Sequence, residues 1–133
     1  VNMSSCLFCK WCRSVQHFNT IKERSSSLAY AFRDCYPVTE MHTLIIPTRH
    51  VPSYFELTDE ERNHIDRLIK SQREYILSKD TTVEGFNIGW NCGEVAGQTI
   101  FHAHVHLIPR RKDDIDDPTG GIRNVIPGKG NYK

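Results

Sequence analysis

The sequence lacks a large excess of charge of either sign. Its 133 residues include 17 lysines and arginines against 16 aspartates and glutamates. A protein that coats a nucleic-acid polymer by bulk charge needs a strongly basic surface, so we expect no partner of that kind. A pocket for a few phosphates is still compatible with this balance, because it requires only local donors.

Long apolar runs are also absent. The longest candidate, LIIPT at residues 44–48, is far shorter than the roughly 20 residues that span a bilayer, and no secretory pattern opens the chain. We therefore expect no membrane partner. The length predicts a single domain over residues 1–133, without internal repeats. Val1 and Asn2 precede Met3, and we interpret them as an addition to the natural chain.

An even cysteine count, the usual sign of a disulfide framework, is missing as well. The five cysteines are Cys6, Cys9, Cys12, Cys35 and Cys92. An odd count without a secretory pattern predicts a reducing compartment, and hence a cytoplasmic location. We interpret these thiols as metal ligands or packing residues.

The clearest pattern in the chain is an amphipathic helix over residues 59–79. Thr58 is suited to cap it, and three acidic residues, 59–61, fill the first turn, where the helix dipole favours anions. Apolar residues recur at helical spacing at Ile65, Leu68, Ile69 and Ile76. This stripe predicts packing against a core or an interface and is assigned no chemistry.

Five segments have the pattern of strands: residues 17–24, 27–34, 41–48, 84–91 and 102–109. The first two predict a hairpin. Residues 4–13 predict a short N-terminal helix, and residues 111–133 predict an extended tail. Because the helix does not alternate regularly with strands, we expect an α+β fold. It has an antiparallel five-stranded sheet with the long helix on one face.

The last strand segment contains three histidines at every second position: His102, His104 and His106. Side chains two residues apart share one face of a strand, so the three imidazoles are expected to line one surface. One interpretation is an exposed polar face opposite buried Ala103, Val105 and Leu107. Three like groups cannot easily all be charged together, which favours neutral imidazoles ready to bind a metal or act as nucleophiles.

The loop before these histidines, residues 92–99, contains glycines. Gly93 and Gly97 allow backbone amides to approach a ligand, and Asn91, Gln98 and Thr99 add neutral hydrogen-bonding groups. Beside the histidines, such a loop suits a phosphate. Without the histidines, a plain tight turn between two strands would be the preferred interpretation.

Cys6 and Cys9 form a Cys-x-x-Cys pair with several possible roles. A redox pair needs a βαβ context that is missing here, and an iron–sulfur run needs a fourth thiol where the chain has Gln16. Zinc needs two further nitrogen ligands, for which histidines elsewhere are candidates. Spacing alone leaves zinc and simple packing open, and Cys12 is a possible competing ligand.

Two long segments together resemble one protein family. GEVAGQTIFHAHVHLIPR and AYAFRDCYPVTEMHTLIIPTRH are similar to the two conserved blocks of the histidine triad (HIT) nucleotide hydrolases and transferases. CLFCK near the start and GGIRNVIPGKGNY near the end resemble the zinc-containing bacterial-type branch, which is diadenosine polyphosphate hydrolase-like. The resemblance covers nearly the whole chain. It implies a HIT-like fold, a homodimer and a nucleotide substrate, with adenine the expected base.

The resemblance also implies roles at matching positions. The implied catalytic residues are His104 as nucleophile, His106 on the α-phosphate, Gln98 and Thr99. The implied substrate-binding residues are Asp34 at the ribose, with Asn91 and Gly97 around the phosphates. The implied ligands of a structural Zn²⁺ are Cys6, Cys9, His50 and His102. One ring nitrogen of His104 is expected to donate to the backbone carbonyl of His102.

The expected function is a nucleotide hydrolase that cleaves at the α-phosphate of a nucleoside polyphosphate or phosphoramidate. The reaction would pass through a covalent nucleotidyl-histidine on His104. Two alternatives remain: a nucleotidyltransferase or phosphorylase, and a nucleotide-binding protein with little turnover. The family's Ile-Pro is replaced here by Gln16 and His17, which affects the expected base preference rather than the chemistry.

Other polar residues are assigned lesser roles. His42 is interpreted as a core histidine or a support for the site, without a catalytic role. His17 and His64 are expected at the surface. Cys35 and Cys92 are expected to pack near the site without reacting.

Overall fold

One long helix and five strands make up the fold of the described residues, which are 6–8, 23–25 and 28–132 of a computed structural model. The sheet is antiparallel, with strand order β1-β2-β3-β5-β4. The elements are β1 (Glu23–Ser25), β2 (Ala29–Arg33), β3 (Thr43–Pro47), α1 (Asp59–Lys79), β4 (Val83–Trp90) and β5 (Val105–Arg111). Four longer strands form the body of the sheet, and the three-residue β1 lies at one edge. The α+β class, with an antiparallel sheet and one long helix, is confirmed.

Helix α1 begins with a capping box. The Thr58 hydroxyl accepts a hydrogen bond from the Glu61 amide at 3.1 Å, and the Glu61 carboxylate accepts one from the Thr58 amide at 2.8 Å. These bonds satisfy two amides that a helix start leaves without partners. The predicted bounds, 59–79, and the predicted cap are confirmed.

One face of the sheet packs against α1. Ile65, Leu68 and Ile76 of the predicted stripe are buried, and Ile69 is half-buried. The main cluster on this side contains Ala29, Ala31, Ile45, Val51, Leu57, Ile65, Leu68, Ala103 and Val105. The stripe therefore belongs to the core.

The other face of the sheet packs against the N-terminal segment. Its cluster contains Cys6, Phe8, Tyr30, Phe32, Leu44 and Ile46. Leu7 and Phe8 have helical backbone, in agreement with a helix start, and the rest of the predicted helix at 4–13 lies mostly outside the described residues. Because both faces of the sheet are covered, strand residues of either parity are buried.

Two boundaries differ from the sequence-based expectation. Strand β5 begins at Val105 and not at 102, so His102 and His104 lie in the extended approach to the strand. The tail is not extended throughout, because Gly121–Val125 form a 3-10 turn. Gly120 has a left-handed backbone that turns the chain back, and a Cβ there would collide with the Gly130 backbone. Residues 17–22 of the predicted first strand lie outside the described residues.

Within the described part of the chain, none of the helices combines the length and the apolar composition needed to cross a membrane.

Candidate active site

The three alternating histidines lie on one side of the sheet, as predicted. The Phe8 ring contacts the rings of His102 and His104, with centroids 5.9 and 5.0 Å apart. Ala103 and Val105 belong to the cluster on the opposite, α1 side. The histidines do not form an exposed polar face, because His102 is 0% exposed and His104 is 9% exposed. A covered row of imidazoles favours function over simple solvation.

His102 faces two further potential metal ligands. The donor atoms of Cys6, His50 and His102 all lie within 4.8 Å of one another. His102 Nε2 donates to the Pro47 carbonyl at 2.8 Å, so Nδ1 keeps its lone pair and lies 3.5 Å from Cys6 Sγ. A thiol and two imidazoles within this distance suit Zn²⁺. The fourth predicted ligand, Cys9, and the competing Cys12 lie outside the described residues.

His104 has the tautomer that a nucleophile requires. Its Nδ1 donates to the His102 carbonyl at 2.8 Å, which confirms the bond expected from the family resemblance. The proton is therefore on Nδ1, and Nε2 keeps a free lone pair. The Phe8 ring, packed edge to face, restricts the orientation of the imidazole. Such a nitrogen is able to attack an electrophile in the adjoining cavity.

His106 is supported by a residue to which the sequence analysis assigned no role in chemistry. The Val38 amide donates to His42 Nδ1 at 3.0 Å, so the proton of neutral His42 is on Nε2. His42 Nε2 lies 2.9 Å from His106 Nδ1 and donates to it. His106 must then hold its own proton on Nε2. The chain Val38–His42–His106 thus prepares a donor for a phosphoryl oxygen.

Asp34, His42 and His106 form a second cluster of potential ligands, but its protonation does not suit a metal. Donor atoms of Asp34, His42 and His106 also lie within 4.8 Å of one another. However, His42 Nε2 carries a proton, because its other ring nitrogen accepts from a backbone amide. A protonated nitrogen has no lone pair for a metal, so the group is better described as a hydrogen-bond chain.

Burial keeps the histidines of the site neutral. It lowers the pKa of His102 to about 4, with smaller contributions from His50 and His104 that also lower it. Burial, and then the neighbouring His104 and His42, lower the pKa of His106 to about 4. The pKa of His42 and that of His104 are also lowered, mainly by burial. The prediction that neighbouring imidazoles would be neutral near pH 7 agrees with these shifts.

A cavity of about 340 Å³ opens beside His104 and His106. The predicted residues on its wall are Asp34, Asn91, Gly97, Thr99, His104 and His106. The residues that the sequence analysis did not assign to it are Leu7, Phe8, Tyr36, Leu44 and Ile100, together with Cys35. Cys35 is exposed on this wall and not packed, which corrects the expectation. The size and mixed polarity suit a nucleotide-sized ligand.

Gln98 is placed differently from the prediction. Its side chain is 4% exposed and lies outside the cavity wall, hydrogen-bonded to Gly93, Pro52 and Ile100. The amides of Gly97 and Gln98, expected to face a phosphate, donate to Glu94 and Gly93 carbonyls inside the loop at 3.0 and 3.1 Å. The loop is therefore a compact turn, and the hydroxyl of Thr99 and the Nε2 proton of His106 are the better placed donors.

A signal for His42 was present in the sequence. The block His-x-Leu-x-Ile-Pro-x-x-His begins with His42 and ends with His50, and an even spacing in a strand puts residues on one face. His42 Nε2 also lies 3.7 Å from the Asp34 carboxylate, whose other oxygen accepts from the Tyr36 amide at 2.8 Å. No comparable signal indicated Leu7, Tyr36 or Ile100, which reach the cavity from separate parts of the chain.

Comparison with known proteins gives consistent matches. The HIT domain family matches residues 18–113. The adenosine 5′-monophosphoramidase of Candida albicans is 32% identical over 121 residues, which cover 88% of this chain and 75% of that protein. The crystal structure of a HIT family protein from Bacillus anthracis is 38% identical, with a TM-score of 0.72, and the match covers 82% of this chain and 75% of that chain. A zinc-bound histidine triad family protein from Mycobacterium smegmatis is 27% identical, with a TM-score of 0.72, over 85% of this chain and 80% of that chain.

Proposed function

The chain belongs to the histidine triad (HIT) family, and on that premise we propose that it is a nucleotide hydrolase acting at an α-phosphate. Its proposed substrates are nucleoside phosphoramidates first and dinucleoside polyphosphates second. The similarity to adenosine 5′-monophosphoramidases supports the first class and adenine as the base. The sequence resemblance to the diadenosine polyphosphate hydrolase-like branch supports the second.

The hydrogen bond from His104 Nδ1 to the His102 carbonyl, 2.8 Å long, is the observation that carries this proposal. It fixes the tautomer that leaves Nε2 unprotonated, and His104 lines the cavity. A nucleophile with a lone pair beside a nucleotide-sized cavity fits covalent catalysis better than simple binding.

In the first step, the Nε2 lone pair of His104 attacks the α-phosphorus. A nitrogen–phosphorus bond forms while the bond to the leaving amine or phosphate breaks, and the leaving group keeps that electron pair. A leaving amine then takes a proton from water. The imidazole becomes positively charged, and the His102 carbonyl at Nδ1 stabilises that charge.

In the second step, water attacks the phosphorus, gives up a proton to the solvent, and the histidine leaves. The new oxygen–phosphorus bond replaces the bond to His104, whose lone pair returns, and a nucleoside monophosphate is released. In both steps the Nε2 proton of His106 and the Thr99 hydroxyl are proposed to stabilise charge on the phosphoryl oxygens. Removal of one such donor typically costs about 3 to 4 kcal/mol of barrier. Asp34 is proposed to accept from the ribose hydroxyls, and Asn91 and Gly97 to form the wall around the phosphates.

Zinc is proposed as a structural cofactor bound by Cys6, Cys9, His50 and His102. The convergence of three of these residues supports the fit, as does the unprotonated Nδ1 of His102, which faces Cys6 Sγ. The likeness to the zinc-bound protein from Mycobacterium smegmatis supports it too, as it supports the zinc-containing branch. With four protein ligands, the ion would add rigidity rather than activate water. His102 would hold its carbonyl firmly behind His104.

The test of the nucleophile is a covalent trap. Wild-type protein mixed briefly with an adenosine phosphoramidate and quenched should gain the mass of one AMP group on the peptide that contains His104. His104→Ala should show no adduct and no turnover, while AMP binding remains measurable by calorimetry. His64→Ala, a substitution on α1 away from the cavity, is the control. Near-normal turnover by His104→Ala would refute the assignment.

Product analysis separates hydrolysis from the alternatives. The substrates are adenosine and guanosine phosphoramidates and diadenosine polyphosphates, each incubated with and without added phosphate. Hydrolysis predicts monophosphate in both conditions. A phosphorylase would form a nucleoside diphosphate only when phosphate is added, and a binding protein would form neither product.

A further inference from the structure

The side chain of Gln98 is fully occupied by backbone groups. Its Oε1 accepts from the Gly93 amide at 2.8 Å, and its Nε2 donates to the carbonyls of Pro52 and Ile100 at 2.5 and 3.1 Å. An amide side chain has two donor hydrogens, and both are used here. Gln98 therefore has no donor left for a ligand in the cavity, although its neighbours Gly97 and Thr99 lie on the cavity wall.

Pro52 belongs to a short segment, residues 49–52, that we call the junction. Arg49 binds the Glu61 carboxylate of α1 through two nitrogens, at 3.1 and 2.8 Å. The Val51 carbonyl accepts from the Ala103 amide at 2.8 Å, between His102 and His104. The junction is thus fixed to the helix and to the segment that leads into β5, and it contains the candidate metal ligand His50.

The loop from Gly93 to Thr99 is held together mainly by its own hydrogen bonds. The amides of Ala96, Gly97 and Gln98 donate to carbonyls of Gly93 and Glu94, at 3.0 to 3.1 Å. These bonds shape the turn but do not fix it to the rest of the fold. The bond from Gln98 Nε2 to Pro52 does so, because it joins the loop to the junction.

We propose that Gln98 is a positioning residue that holds this loop on the junction and so sets the distance between Thr99 and His104. Its effect on catalysis rests on the proposed function, but its effect on the loop does not. The same bond connects the loop to the junction, which contains the candidate ligand His50. Gln98 would thereby act through Thr99 without touching the substrate.

Gln98→Glu is the most informative variant, since it keeps the size of the side chain and removes its donor hydrogens. One carboxylate oxygen can still accept from the Gly93 amide, but the other would face two carbonyl oxygens with no hydrogen to donate. In the ligand-free variant, the loop amides of residues 96–98 should exchange with deuterium about tenfold faster than in the wild type. The kcat/KM should fall about tenfold to a hundredfold.

The control is Gln72→Glu, which makes the same change at a buried glutamine of α1. Gln72 is 1% exposed and accepts a hydrogen bond from Arg33 at 2.7 Å. The variant therefore tests a buried glutamine-to-glutamate change, with the carboxylate paired to a guanidinium, without touching the loop. Its loop exchange should match the wild type. If Gln98→Glu does not fold, Gln98→Met, similar in volume and neutral, replaces it.

The outcomes are distinct. Faster loop exchange in the ligand-free Gln98 variant supports the positioning role, whether or not the protein turns over nucleotides. Unchanged exchange with impaired kinetics would mean that Gln98 contacts the substrate directly, and the proposal would be overturned. Unchanged exchange and unchanged kinetics would overturn it as well. Absence of turnover in the wild type, with faster exchange in the variant, would refute the proposed function alone.

Discussion

His42 determines the protonation of the residue proposed to contact the phosphate. The Val38 amide fixes the tautomer of His42, and His42 fixes that of His106. A donor on a preorganised ring stabilises a transition state without reorganisation cost. His42 is therefore a positioning residue that acts through its neighbour.

We expect His42→Gln to lower kcat by about tenfold to a hundredfold, since the tautomer and orientation of His106 would no longer be fixed. The KM should change less than kcat, because His42 is not on the cavity wall. Steady-state kinetics on an adenosine phosphoramidate measures both. A variant with wild-type kcat, together with normal melting, would show that the hydrogen-bond chain has no role.

The metal proposal makes a separate prediction at His50. His50→Ala should reduce bound zinc from about one ion per chain to well below one and lower the melting temperature, because metal binding free energy contributes to folding. His102→Ala should likewise reduce both the zinc content and the melting temperature. Inductively coupled plasma mass spectrometry and thermal unfolding measure the two effects, with His64→Ala as the control. Unchanged zinc content in His50→Ala would refute the ligand set.

Several parts of the site were predictable from local pattern. Alternation along the chain put His102, His104 and His106 on one face, and glycines at 93 and 97 indicated a turn. The tautomers of His42 and His106 were not predictable, because they depend on a hydrogen bond between residues 64 positions apart. The inward orientation of the Gln98 side chain was not predictable either, because it depends on a hydrogen bond to Pro52, 46 positions away.

At the scale of elements, the start of α1 joins the helix to the site. Glu61 completes the capping box and also binds Arg49, which precedes His50. One carboxylate, 3% exposed, thus stabilises the helix start and the junction together. Capping and position were predicted from Thr58 and the acidic first turn, but the contact with Arg49 was not, since it connects two elements.

Thr58→Ala should destabilise the protein by about 1 kcal/mol, because an alanine side chain at the N-cap cannot accept a hydrogen bond from the Glu61 amide. Urea unfolding should show a lower midpoint with an unchanged slope. Ser78→Ala, near the exposed end of the same helix, is the matched control and should change stability by less than about 0.5 kcal/mol. Equal stability of the two variants would contradict the role of the cap.

Strand boundaries were predicted less well than the helix. The alternation of histidines and apolar residues begins at 102, but ladder pairing of β5 with β3 runs from Val105 to Leu107. An extended segment and a paired strand have the same side-chain period, so pattern alone cannot separate them. The folded tail was missed because a turn at Gly120 requires the backbone of Gly130 to close it.

Across the whole molecule, three buried histidines and the half-buried His106 make stability depend on pH. Burial lowers the pKa of His42, His102, His104 and His106, whereas an unfolded chain has the ordinary value near 6.5. Below that value the unfolded state binds more protons than the folded state. The free energy of unfolding is therefore not reduced by these histidines above pH 6.5, and it decreases as the pH falls toward about 4.

For His106, whose pKa is lowered to about 4, the loss between pH 7 and pH 5 should be on the order of 1 kcal/mol after allowance for its partial exposure. Urea unfolding of the wild type and of His106→Gln at both pH values isolates this contribution from any effect of metal loss. The variant should have the flatter pH dependence. Parallel curves would contradict the prediction.

The homodimer implied by the family resemblance stays a prediction. Strand β4 lies at the edge of the sheet, where its outer backbone groups have no neighbouring strand among the described residues. Ile88 in this strand is 50% exposed, an unusual position for a large apolar residue beside an open edge. We expect sedimentation velocity to show a dimer for the wild type and a monomer for Ile88→Lys. A monomeric wild type would refute the dimer.

The strict alternation at residues 102–107 has a consequence for how this protein tolerates change in length. Odd-numbered positions build the hydrophobic core under α1, and even-numbered positions hold the imidazoles. Deleting a single residue here would exchange the two sets, driving imidazoles into the core and methyl groups into the cavity. Single-residue insertions and deletions should therefore be tolerated better in the exposed tail after residue 111 than in this six-residue stretch, which keeps its length in any functional descendant.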